Sequence, residues 1–279
     1  MAIGRRTCPL RAWIFGFLVL CTKLLALEQS PWLGTYFSTL FAPSFTYYTF
    51  RRVEGARPQL SQRYNVRLLT LDLGFTPSSR SDGELEAEFV HSPVQNWGYR
   101  SVALQMRYLC LNDLEGDPVS IMMGVNLREV NTQSLRDVSM PYHAQWNVEG
   151  TLAVGKEWAH GAFWDTHAWG LAGFGMGNQG YPWVRLLGVW QKNWENRHRL
   201  NCFTESYWGF GSKNHVNPNH FHGWGNYAHA SVDIGTGYGY HTAFWGTIGI
   251  EYAYRLFAHT YPQNVQFLVA YWKLPFSSL

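Results

Sequence analysis

In the stretch SVALQMRYLCL, Ser101–Leu111, every second residue is apolar: Val102, Leu104, Met106, Tyr108 and Cys110 share one face, and Gln105 and Arg107 share the other. A period of two is the signature of a strand with two unlike faces. The same pattern extends in both directions. RYNVRLLTLDLGF (Arg63–Phe75) sets Leu69, Leu71, Leu73 and Phe75 against Leu68, Thr70 and Asp72, and GELEAEFV (Gly83–Val90) sets three glutamates against Leu85, Ala87 and Phe89. Further stretches are Ser44–Arg52, Val119–Arg128, Gln145–Gly155, His167–Gly177, Trp183–Gln191, His198–Trp208, Tyr227–Tyr240, Phe244–Leu256 and Val265–Trp272. Twelve strands are expected, with no amphipathic helix between them.

A soluble β-sandwich and a membrane barrel both use alternating strands. Three features favour the barrel. Strands of about 9–13 residues suit a tilted bilayer crossing. The polar face is charged on strand after strand: Asp72, Glu86, Arg107, Arg128, Glu149, Arg185, Arg199, Glu205, Asp233, Glu251 and Arg255. Aromatic pairs such as Tyr47–Tyr48 and Tyr207–Trp208 gather at strand ends, where membrane girdles sit.

Connection lengths agree. Short connections at 76–83, 112–118, 192–197 and 240–242 follow even-numbered strands, whereas the two longest, Glu129–Ala144 and Gly209–Asn226, follow strands five and nine. An up-and-down barrel with both termini on one side of a membrane requires this parity. The fold expected is all-β: a single antiparallel transmembrane barrel of about twelve strands spanning residues 27–279.

The first 26 residues read as a secretory signal. Arg5, Arg6 and Arg11 form a basic start, AWIFGFLVLC (Ala12–Cys21) is an apolar core of signal length, and Ala26 offers a cleavage position. An uncleaved anchor is the alternative. The whole chain carries 22 basic and 19 acidic residues. Without Arg5, Arg6, Arg11 and Lys23 the balance is 18 against 19, which speaks against nucleic acid as a partner. Cys110 and Cys202 fall on lipid-facing sides of separate strands, so no disulfide is expected between them.

An export signal, long alternating strands, glycine-rich aromatic strands and a strand as the last element together resemble bacterial outer-membrane β-barrel proteins, and the aromatic density is similar to that of such proteins from chlamydia-type bacteria. The resemblance runs from about residue 44 to the end. It implies a place in the outer membrane, contact with its lipid, and assembly by the barrel-assembly machinery. Such chains commonly end on Phe; here Phe276 stands three residues before the end.

The expected role is a narrow pore for passive transport of small solutes. Arg107, Arg185, Arg199, Glu205, Asp233, Glu251 and Arg255 would line its lumen, because inward charges must be hydrated or paired. The stretch NHVNPNHFHGWG (Asn214–Gly225) carries His215, His220 and His222. With no fourth ligand nearby and with turn-forming Asn and Pro, these histidines read as a loop or lid at the pore mouth rather than a metal site. No cofactor and no catalytic residue is expected. Two other roles stay open: a plugged structural or surface-binding barrel, and a lipid hydrolase of the outer-membrane phospholipase or lipid A deacylase type. The candidates for the latter are His91, Ser92 and Asn96, but adjacent His91 and Ser92 would face opposite sides of a strand.

Overall fold

The computed structural model describes residues 29–159 and 164–277. The expected signal, residues 1–26, lies outside the described residues. Twelve strands form the wall: β1 (Ser38–Phe50), β2 (Tyr64–Ser78), β3 (Ser81–His91), β4 (Gly98–Leu111), β5 (Ser120–Val130), β6 (Trp146–Ala159), β7 (Trp164–Gly177), β8 (Trp183–Trp194), β9 (His198–Phe210), β10 (Ala228–Thr242), β11 (Gly246–His259) and β12 (Gln266–Ser277). Each pairs antiparallel with the next. β1 closes on β12, with Ser38 opposite Ser277 and Thr49 opposite Gln266. Closure leaves no unpaired edge, which is what makes a sheet tolerable in hydrocarbon.

All twelve expected strands are present, each longer by one to four residues. The inner turns at 79–80 and 195–197 are narrower than expected and that at 243–245 is shifted, while the outer connections include 51–63, 131–145 and 211–227. Lengthened strands draw their flanking residues into the ladder because backbone groups at membrane depth need partners. Register also settles the two faces. Leu104, Met106, Val125, Leu152, Phe174, Leu186, Ile250 and Leu268 are exposed on the outside, and Glu86, Arg107, Arg128, Arg185, Asp233 and Arg255 are buried inside. Trp97, Trp146, Tyr181 and Phe210 flank this belt at the outer end, and Phe75, Trp158 and Phe276 at the inner end. Cys110 and Cys202 are both free.

Inside, glycines make room for large neighbours. A Cβ on Gly175 would sit 2.1 Å from the Trp183 ring, and one on Gly209 would sit 2.3 Å from the His229 ring. Side chains of the inner wall therefore lie flat across adjoining strands.

Candidate functional site: the lumen and its two ends

The seven expected lumen residues all face inward. Six are at most 8% exposed, and Arg199 is half-buried. The structure pairs Arg185 with Glu205 and Arg255 with Asp233, while Arg107 and Glu251 find other partners on the wall. Arg185 bridges Glu149 at 2.7 Å and Glu205 at 3.5 Å. Arg255 makes a two-pronged contact with Asp233, at 2.7 and 2.8 Å. Arg107 grips Asp82, its Nε donating at 2.9 Å. The Asn201 amide donates to Glu251 at 3.1 Å. Across the lumen, Arg128 joins Glu86 and Glu88, and Arg100 reaches Glu88 at 3.3 Å. Pairing of this kind offsets the desolvation of buried charge, and two-pronged arginine contacts do so with the best geometry.

Two loops close the outer half. The loop after β5 dips inside, carrying Val138, Met140 and Tyr142 into the barrel. Its Tyr142 hydroxyl donates to Glu88 and lies 3.2 Å from Arg128 Nη1, so a loop residue sits within the ion pairs of the wall. Ser101 donates to Glu88 as well, at 2.5 Å. The loop after β9 covers this from outside. Val216, Phe221 and Trp224 are at most 1% exposed, and the Trp224 indole donates to the Met140 carbonyl at 2.5 Å. Together with Val53, Tyr261 and Val265 from the other outer loops they form one apolar cluster.

His215, His220 and His222 are exposed, and the apolar residues between them turn inward. Among the described residues no group of three or more His, Cys, Asp or Glu converges as metal ligands would. Among the described residues the buried histidines are His143, on the loop after β5, and His229, on β10. Their Nε2 atoms are 3.0 Å apart, the Tyr207 hydroxyl meets His143 Nδ1 at 3.0 Å, and Trp183 stacks on His143 at 4.1 Å. Burial pushes the His143 imidazole well below its usual range, and His229 adds to this. Sequence periodicity marks His229 as inward-facing, but it cannot find His143, because a loop has no period.

His91, Ser92 and Asn96 do not form a nucleophile site. Ser92 is buried, donates to Asp137 at 2.5 Å and accepts the Val94 and Gln95 N–H groups at 3.2 Å, which ties a turn. His91 lies on the lipid side against Trp97, their rings 5.9 Å apart.

The inner end is more open. A cavity of about 350 Å³ is lined by Arg107, Arg199, His167, Gln191, Lys273 and the chain before β1. That leading segment enters the barrel. Gln29 and Pro31 are buried, and Trp32 packs edge-on against Trp169 at 5.6 Å. Arg107 holds the Ser30 carbonyl at 2.9 Å. The Trp32 indole donates to Asp113 at 2.9 Å in the β4–β5 turn. Sequence reading missed this segment too, because it carries no strand pattern.

Solved structures match this geometry. An outer membrane channel from Pseudomonas putida F1 superposes with a TM-score of 0.60, covering 90% of this chain and 100% of its own, at 12% identity. The chain has the outer-membrane β-barrel fold. A second such barrel, the NanC porin, superposes with a TM-score of 0.53 at 10% identity, over 86% of this chain and all of its own. No protein-family model and no curated protein sequence matches the chain. The likeness thus lies in the barrel fold itself.

Proposed function

We propose that the protein is a gated, narrow outer-membrane pore for small polar solutes, described here in its closed state. One observation carries this reading: buried ion pairs line the lumen on both walls, and its outer half is closed by loops that pack against inward apolar side chains such as Tyr48, Val66, Leu68 and Phe267. A barrel whose only task was to stand in the membrane could fill its interior with apolar side chains, as small barrels do. Here Tyr142 and Met140 occupy the space between charged walls, and Pro141 borders two small cavities of about 20 and 60 Å³. The inner cavity would be the vestibule, with Arg199 and Lys273 on its wall. Likeness to a channel and a porin supports the same role.

A second reading rests on the plug's own packing. Val138, Met140, Phe221 and Trp224 are as well buried as the core of a soluble domain. On that reading the barrel is a closed scaffold. Planar-bilayer recording of the purified full chain separates the two. The gated pore predicts rare, brief openings. Deleting residues 134–141 should then convert these into sustained conductance steps, with heat-modifiable gel migration retained. Silence from both folded proteins would overturn the pore and leave the scaffold.

A further inference from the structure

A cationic row interrupts the outer wall on three neighbouring strands. Around most of the outer rim the wall shows Trp146, Met176, Phe210 and Phe257 to the bilayer. On β1, β2 and β3 it instead shows a row of Tyr47, Arg67 and His91, which are register partners across the three strands. Arg67 is exposed on the lipid side. One row closer to the membrane centre lie Phe45, Leu69 and Phe89, also in register. Further out, Arg63 is exposed, its Nε donating to the Thr49 hydroxyl at 2.7 Å, and the Tyr47 hydroxyl donates to Asn65 at 2.9 Å. A cation on a lipid-facing strand near the interface is tolerable when it reaches the headgroups, and anionic headgroups favour it.

We propose that Arg67, with Arg63 and His91, binds the phosphate of a lipid in the leaflet that the long loops face, while an acyl chain of the same lipid lies over Phe45, Leu69 and Phe89. The change from an apolar row to a cationic row within two residues matches the boundary between acyl chain and headgroup. A guanidinium forks onto phosphate oxygens with two N–H bonds, and Arg67 on β2 and Arg63 just before that strand can share one group or take adjacent ones. Tyr47 supplies an amphipathic ring at the same level, where aromatic side chains bridge the two phases. This site is on the outside of the wall and does not depend on whether the lumen conducts.

The test uses the purified full chain in detergent and native mass spectrometry. Probes are bis-phosphorylated lipid A, its dephosphorylated form, and inorganic phosphate. Wild-type protein should retain phosphorylated lipid A, and Arg63→Ala with Arg67→Ala should weaken retention about tenfold. Arg67→Lys should keep part of the affinity, and Arg80→Ala, on the exposed inner turn at the opposite end of β2, should change nothing. Equal retention of the dephosphorylated form would mean acyl chains alone bind, and would overturn the proposal. So would unchanged affinity in a double variant that keeps heat-modifiable migration, or inorganic phosphate occupying the site as tightly as the lipid. If the double variant does not fold, Arg67→Gln alone is read by the same criteria.

Discussion

The two halves of the lumen solve the same problem by opposite means. In the outer half, charged wall groups are capped by a loop that brings apolar bulk and one phenol. In the inner half, Trp169, Leu171, Leu187 and Val189 form a second apolar cluster on one side of the lumen, against which Trp32 and Leu33 pack, and the charges beside it face a cavity of about 350 Å³ that the chain before β1 only partly fills. The outer half is therefore closed by loops, and the inner half is partly packed and partly an open vestibule. The difference shows how one barrel wall can carry regions of unlike rigidity, set by what fills the lumen.

The ion pairs at the outer level should show the largest effect. Arg128→Met leaves Glu86 and Glu88 short of their shared partner at a site with almost no water access. The expected cost is roughly 3–5 kcal/mol in barrel stability. Adding Glu86→Gln should recover a good part of it. Urea unfolding of the refolded barrel, followed by tryptophan fluorescence, measures both. A loss below about 1 kcal/mol would mean that water reaches this level.

Next comes a direct contrast of two tryptophans. Trp224 is fully buried in the outer plug, whereas Trp32 is half-buried at the inner end. Trp224→Ala should cost about 3–5 kcal/mol if the plug is a true core. Trp32→Ala should cost roughly 1–2 kcal/mol and enlarge the vestibule. Equal costs would break the distinction between the halves.

Acid should loosen the outer half. Burial and His229 hold His143 below its ordinary value of 6.5, so the native imidazole is neutral. The unfolded chain takes up its proton near pH 6.5. The stability from the neutral form is therefore complete above that pH and is lost as the pH falls toward the folded value. The other polar and charged groups facing this imidazole pair are Tyr207, Tyr261 and Arg255. Arg255 and His229 both disfavour a second positive charge. Hydrogen exchange of residues 134–143 at pH 7.5 and pH 5 should show faster exchange in acid, beyond the intrinsic pH effect, and His143→Phe should remove the difference.

The wall of this protein was legible in its sequence, and its filling was not. Alternation of two reports which side of a strand is which, so Arg107, Arg185, Glu205, Asp233, Glu251 and Arg255 could be placed inside from Ser101–Leu111 and its counterparts alone. Loop parity could be read because turns are short on one side of the membrane. Periodicity says nothing about a loop that folds back. Tyr142, His143 and Trp224 sit in segments without a period, and they decide whether the lumen is open. NHVNPNHFHGWG shows the limit well. Its histidines are exposed, yet the apolar residues among and just after them, Val216, Phe221 and Trp224, are the ones buried against the plug. An outer loop rich in large apolar residues is the signal that would have found the plug, since solvated loops seldom carry them.

The smallest expected effect belongs to the inner latch. Burial alone would raise the Asp113 carboxyl, but the Ser120 hydroxyl, the Glu157 N–H and the Trp32 indole all donate to it, with Lys156 4.0 Å away. Together they hold it below its ordinary value of 3.8. A carboxylate depressed in this way contributes stability above the unfolded value and loses it as the pH falls through the folded one. The latch should thus be intact at pH 5, where the outer histidine pair is already strained, and should let go only in stronger acid. A cysteine placed at Ser30 reports on this. Its labelling by a thiol reagent that works in acid should stay slow from pH 7 to pH 5 and rise below pH 4. Asp113→Asn should label faster at every pH, since the amide is a weaker acceptor for the Trp32 indole. If labelling instead rises in step with exchange of residues 134–143, the two ends of the lumen open as one unit, and the separation between packed core and vestibule fails.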